Sequence, residues 1–157
     1  MTKEKKKASK IETSPKDGKP PLNDKEQEEA KKMSEKKEKI RKAKLACAEK
    51  FKEEVLKKYQ KMVKAVVLFG SVVRGDFTEK SDVDMLVIID DVMARMSEGQ
   101  KEQFDDEIRN IAKKIHEDVV VQPAWTLSEF WDMARIGHPL LFTIVRDGWA
   151  LYDKGKL

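Results

Sequence analysis

Ala65-Val66-Val67-Leu68-Phe69-Gly70-Ser71-Val72-Val73-Arg74-Gly75, and then Ser81-Asp82-Val83-Asp84-Met85-Leu86-Val87-Ile88-Ile89, is the stretch on which the reading of this chain turns. The apolar run 65–69 has the character of a buried strand, and Gly70-Ser71 ends it in a tight turn. A second strand follows from Val83 to Ile89, closed by Asp90-Asp91. Side chains alternate along a strand, so Asp82 and Asp84 share one face while Val83 points to the other. Two neighbouring carboxylates repel unless a cation compensates them. Such a pair can hold hard cations bridged by phosphate oxygens, as in two-metal catalysis. Gly70, with no side chain, lets a polyphosphate approach the backbone; the amides beyond it and the Ser71 hydroxyl can donate to phosphate oxygens, and Arg74 adds positive charge. The competing reading is structural: the two aspartates cap a strand at a solvated edge, and Ser81 completes a turn.

Gly70-Ser71, ten intervening residues and Asp82-Val83-Asp84 together resemble the signature of the DNA polymerase β-type nucleotidyltransferase superfamily, and the short chain resembles its minimal archaeal and bacterial members. The resemblance covers about residues 60–157. It implies a mixed sheet, a nucleoside triphosphate such as ATP bound with two Mg²⁺ ions, and transfer of a nucleoside monophosphate to a hydroxyl on protein or RNA. By position, Gly70 and Ser71 would hold the triphosphate, with the nearby Arg74 charge joining them as a nucleotide-binding candidate, and Asp82 and Asp84 would be catalytic metal ligands. The family places a third carboxylate on a later strand. Asp118, directly before Val119-Val120-Val121, is the first candidate for it, and Glu117 the second. A HEPN-type toxin partner, with this chain as its antitoxin, is a further implication of the resemblance. The alternative is a non-catalytic module that binds nucleotide or metal and recruits a partner.

Outward from this centre, Ile40, Ala43, Cys47, Phe51, Val55, Tyr59 and Met62 recur at spacings of three or four, one face of a helix. The charged stretch before Ile40 lacks that stripe. Beyond the second strand, Phe104, Ile108, Ile111, Ala112 and Ile115 mark a helix from about Ser97 to Ile115. Val119–Val121 predicts a third strand, stopped by Pro123. Thr126-Leu127-Ser128-Glu129 has the form of a capping box, which opens a helix running to Ile136 before Gly137. Pro139 can start another helix, and a last strand spans Trp149 to Tyr152. His138 and His116 read as structural or exposed. Trp125, Phe130, Trp131 and Trp149 read as core or partner surface. The expected fold is α+β: a mixed β-sheet with helices packed on one face, preceded by a long basic helix. The domains are a disordered tail at 1–24, a charged then amphipathic helix at 25–62, and the nucleotidyltransferase domain at 63–157.

Charge is distributed unevenly over the 157 residues. Residues 1–50 carry 17 Lys+Arg against 10 Asp+Glu, while the whole chain has a net charge of +4. The N-terminal third is therefore basic and the remainder mildly acidic. An arm of this kind suits RNA or an acidic partner, or simply stays solvated. The single cysteine, Cys47, excludes an intrachain disulfide and a Cys-based zinc site. With no long apolar run, the reading is a cytoplasmic protein without a membrane span.

Overall fold

Two strands buried on both sides organise the chain. In the computed structural model, which describes residues 23–92 and 95–155, these are β1 (Val63–Phe69) and β2 (Val83–Ile89). The elements follow in the order α1 (Asp24–Tyr59), β1, α2 (Ser71–Arg74), β2, α3 (Glu98–Ile115), β3 (Val119–Val121), β4 (Trp125–Thr126), α4 (Leu127–Ile136), α5 (Pro139–Asp147) and β5 (Trp149–Asp153). The sheet runs β3-β2-β1-β5, and β4 also pairs with β2. β1 is antiparallel to β2 and β5, whereas β3 and β4 are parallel to β2. The expected mixed α+β sheet is therefore observed, with a four-residue helix (α2) and a two-residue strand (β4) added to the expected elements.

The expectation of helices on one face needs correction, because both faces are covered. Helices α1 and α3 bury Ala48, Phe51, Val55, Phe104, Ile108 and Ala112 against Val66, Leu68, Val83, Met85 and Val87. On the opposite face, Phe130 of α4 with Leu141 and Ile144 of α5 cover Ala65, Val67, Phe69, Leu86 and Ile88. The physical reason is the near-continuous apolar sequence of β1 and β2: a strand with one solvated face would alternate with polar residues. A register shift between Val63 and Ala65 lets Val63 join the α1 side while Ala65 joins the other.

Local chemistry sets the element ends. Asn23 donates its backbone N–H to Glu26 as α1 begins, and capping boxes open α3 at Ser97/Gln100 and α4 at Thr126/Glu129. Gly137 ends α4 at φ 67°. Pro123 interrupts the second partner of β2, leaving β3 and β4 as separate pieces. Just after it, the Ala124 amide donates to the buried Asp105 carboxylate of α3 at 2.8 Å.

Residues 24–39 of α1 are all exposed. Ion pairs Glu28–Lys32 and Glu38–Lys42, each with the acid four residues before the base, support this part of the helix. Of the tail expected at 1–24, residues 1–22 lie outside the described residues. Among the described residues, no helix is long and apolar enough to cross a membrane.

Phe51 is fully buried between α1 and the sheet. Phe51→Ala should lower the unfolding free energy by about 3–5 kcal/mol in a denaturant titration. The exposed Glu53→Ala control should stay within about 0.5 kcal/mol of the parent.

Candidate functional site

The site lies where β1 ends and β2 begins. Antiparallel pairing sets Phe69 opposite Asp84, so the turn after β1 and the carboxylate pair meet at one end of the sheet. Gly70 is buried and has φ 81° and ψ −155°, a region open essentially to glycine alone. A Cβ built there would come within 2.2 Å of Asp84 Oδ2 and 3.1 Å of its Cγ. The Asp84 carboxylate therefore sits directly over the Gly70 α-carbon. Ser71 opens α2, which closes at Gly75 (φ 85°) with the Gly75 amide donating to the Ser71 carbonyl at 2.9 Å.

Asp82 is exposed and precedes β2 by one residue; Asp84 is half-buried. Burial, and then the like charge of Asp82, raise the Asp84 carboxyl above its ordinary range, with Arg74 opposing them. Arg74 pairs with Asp76 at 3.2 Å. Its charge also reaches Asp147, at the end of α5, whose carboxyl is held below its ordinary range chiefly by hydrogen bonds from Arg146 at 2.6 and 2.8 Å. The structure thus brings together Gly70, Asp84, Asp82 and Arg74, with Ser71 next to Gly70 in the chain.

The Asp118 side chain turns to other partners, although its carbonyl accepts from the Val83 amide at 2.8 Å, one residue from Asp82. Asp118 Oδ2 accepts from Lys44 Nζ at 3.1 Å. Lys44 belongs to α1, which covers the face opposite the one Asp84 shares with Leu86 and Ile88. Asp118 also borders a cleft of about 330 Å³ with Ile40, Cys47, Val83 and Val119. Glu117 is exposed in the turn before β3. The β3 residue registered beside Asp84 is Val120, which is 37% exposed. Among the described residues no group of three or more His, Cys, Asp or Glu could hold a metal ion. His138 caps α5 by accepting from the Leu140 amide at 3.3 Å, and His116 accepts from the Asp118 amide at 3.1 Å. Sequence reading passed over Lys44, one lysine among many, and Asp147, which looked only like part of a turn. Asp147 carries no periodic or motif signal; Lys44 falls in phase with the buried stripe Ala48, Phe51 and Val55, but its charge set it apart from that stripe.

The nucleotidyltransferase domain family matches residues 48–136, more than half of the chain, and the chain belongs to that family. A Methanocaldococcus jannaschii protein, named provisionally as a protein adenylyltransferase, is 52% identical over 33 residues. That match takes in 21% of this chain and spans only 33% of the relative. The crystal structure of a protein from Sulfolobus solfataricus, described provisionally as a nucleotidyltransferase, superposes with a TM-score of 0.51 at 18% identity. It covers 76% of this chain and 89% of the other, and it shows the fold alone. A solved toxin–antitoxin with AMP-PNP reaches a TM-score of 0.45 at 17% identity over 68% of this chain and 74% of that one, too low to carry an argument.

Two tests follow from the seat of Asp84. Gly70→Ala should cost about 1–3 kcal/mol of stability, from its backbone conformation alone, with any displacement of Asp84 adding to it, as read by denaturant unfolding. Asp84 also has a sign that pH can check. A carboxyl raised in the folded state contributes stability in acid that is lost as pH rises through the raised value. Asp84→Asn should therefore raise the melting temperature of the metal-free protein at neutral pH, and the gain should shrink below about pH 4, where an ordinary carboxyl is itself protonated.

Proposed function

We propose that this chain binds a nucleoside triphosphate, ATP first among them, with Mg²⁺ between the Gly70-Ser71 turn and the Asp82/Asp84 pair, and transfers its nucleoside monophosphate to a hydroxyl. The observation that carries this reading is the Asp84 carboxylate seated on the bare α-carbon of Gly70, with Asp82 as its like-charged neighbour. The donor set fits a hard cation: two carboxylates, one disfavoured in its charged form until a cation arrives. When bound, the metal would neutralise charge on the phosphates.

The residues of the chain have distinct tasks in this scheme. Gly70 lets the Asp84 carboxylate come up to the turn where the triphosphate would lie, and the Ser71 hydroxyl and Arg74 guanidinium donate to the triphosphate oxygens. Asp82 and Asp84 hold the metal side of the nucleotide. The acceptor hydroxyl attacks the α-phosphorus in line and pyrophosphate leaves from the Gly70 side. A protein hydroxyl is the first acceptor to try, after the name of the Methanocaldococcus relative. A HEPN-type partner and an antitoxin role rest on the family resemblance, and such chemistry would work in the cytoplasm. RNA remains the candidate ligand of the basic arm.

One observation favours a second reading, a nucleotide-binding module with weak or no transfer. Asp118 is paired with Lys44 and Val120 stands beside Asp84, so the carboxylate expected as the third metal ligand is engaged elsewhere. The test is incubation with Mg²⁺, each α-labelled nucleoside triphosphate and an acceptor extract, beside an Asp82→Asn/Asp84→Asn double variant. The first reading expects label transfer that falls in the variant by more than the roughly 10–100-fold lost with an outer-shell partner of a metal ligand. Metal-dependent nucleotide binding without transfer selects the second reading. Neither binding nor transfer rejects both.

A further inference from the structure

Lys44 is the most buried charged residue among the described residues, 5% exposed, in a helix otherwise lined toward the sheet by apolar groups. Burying an ammonium is expensive unless it is paired and hydrogen-bonded. Here its Nζ donates to the Ser81 carbonyl and to Asp118 Oδ2. Ser81 is the residue before Asp82, and Asp118 is the residue before β3. The two partners are themselves tied, because the Val83 amide donates to the Asp118 carbonyl at 2.8 Å. One ammonium thus joins α1 to the entrances of two parallel strands at the end of the sheet where the carboxylate pair lies. Around it, Thr78 donates its amide to Ser81 Oγ at 2.8 Å, Phe77 is buried, and Lys36 pairs with Glu79 at 2.9 Å. The segment that delivers Asp82 is therefore anchored to α1 at several points, with Lys44 the innermost.

We infer that Lys44 is a positioning residue for the metal site: from the opposite face of the sheet it fixes the backbone at Ser81, and through it the place of the Asp82 carboxylate relative to Asp84. In this role Asp118 is the counter-ion that keeps the Lys44 ammonium at Ser81. The consequence for metal binding rests on the function proposed above, but the clamp itself does not.

The experiment compares full-length wild type with Lys44→Met, which keeps the length of the side chain and removes the ammonium, and with Lys44→Arg, which restores donors. Circular dichroism and thermal unfolding establish that each variant is folded. Two readouts are then taken: the Mg²⁺ concentration that half-saturates ATP binding in calorimetry, and amide hydrogen exchange at Val83 and its neighbours. Support would be a half-saturating Mg²⁺ concentration about tenfold higher in Lys44→Met, the scale seen when a residue supporting a metal ligand is lost. It would come with faster exchange at Val83 and partial recovery of both in Lys44→Arg. Unchanged Mg²⁺ dependence in a folded Lys44→Met, with wild type binding normally, overturns the positioning role. If wild type binds no nucleotide, the proposed function fails, and exchange still decides the clamp: unchanged protection at Val83 rejects it. If Lys44→Met does not fold, Lys44→Gln takes its place with the same two readouts: a raised half-saturating Mg²⁺ concentration together with faster exchange at Val83 supports the clamp, and wild-type values of both overturn it.

Discussion

Everything at the business end of this molecule depends on the contact between a carboxylate and an α-carbon that has no side chain. The β1–β2 register places Asp84 beside the end of β1, and only a glycine in an unusual conformation at position 70 leaves space for the carboxylate. The register is held by burial on both sheet faces, because a slip by one residue would exchange the two apolar sets of β2 and carry Asp84 into the α1 core. The fold therefore secures the acid pair through ordinary hydrophobic packing several residues away.

Burial of this kind also stores a cost. Asp84 is half removed from water beside a second carboxylate, with Arg74 giving only partial relief. A core does not keep such an arrangement for its own sake, since replacing an unfavourable charge with an apolar group is commonly stabilising. Under the function proposed above, a cation held by the pair would offset that cost. The Arg146–Asp147 pair on the far side of the turn supplies no comparable tension, because its charges satisfy each other.

Much of the architecture was legible in the residues. The Thr126/Glu129 capping box, the Gly137 stop, Pro139 and the apolar spacing of α3 are local signals, and the elements begin and end close to them. The two-sided burial was legible too, in the unbroken apolar runs of β1 and β2, although the expected layering left it out. The four residues of α2 and the two of β4 are too short to show a period. The neighbour of Asp84 on β3 was not legible, for a different reason. β2 and β3 are parallel and joined through α3, so their register depends on how that helix packs and not on any turn. Asp118 could look well placed along the chain while Val120 occupies the adjacent position in space. Lys44 was legible by its spacing, in phase with Ala48, Phe51 and Val55, and was passed over because it is charged; the buried partners that make such a position tolerable, Ser81 and Asp118, are distant in the chain.

Helix α1 obeys two different rules along its length. From Lys44 onward its rotational phase is fixed, since each inserted or deleted residue turns everything before it by about 100° around the axis and would swing the ammonium away from Ser81. Residues 24–39, about 24 Å of helix at 1.5 Å per residue, are exposed throughout, and most carry no such phase. Whole turns could be gained or lost there with the buried core untouched, except near Lys36 and Lys37, which meet Glu79 and Phe77. The distance from the active end of the sheet to whatever is joined at Asn23 is thus a free length that sequence drift can adjust, while the orientation of the site stays locked.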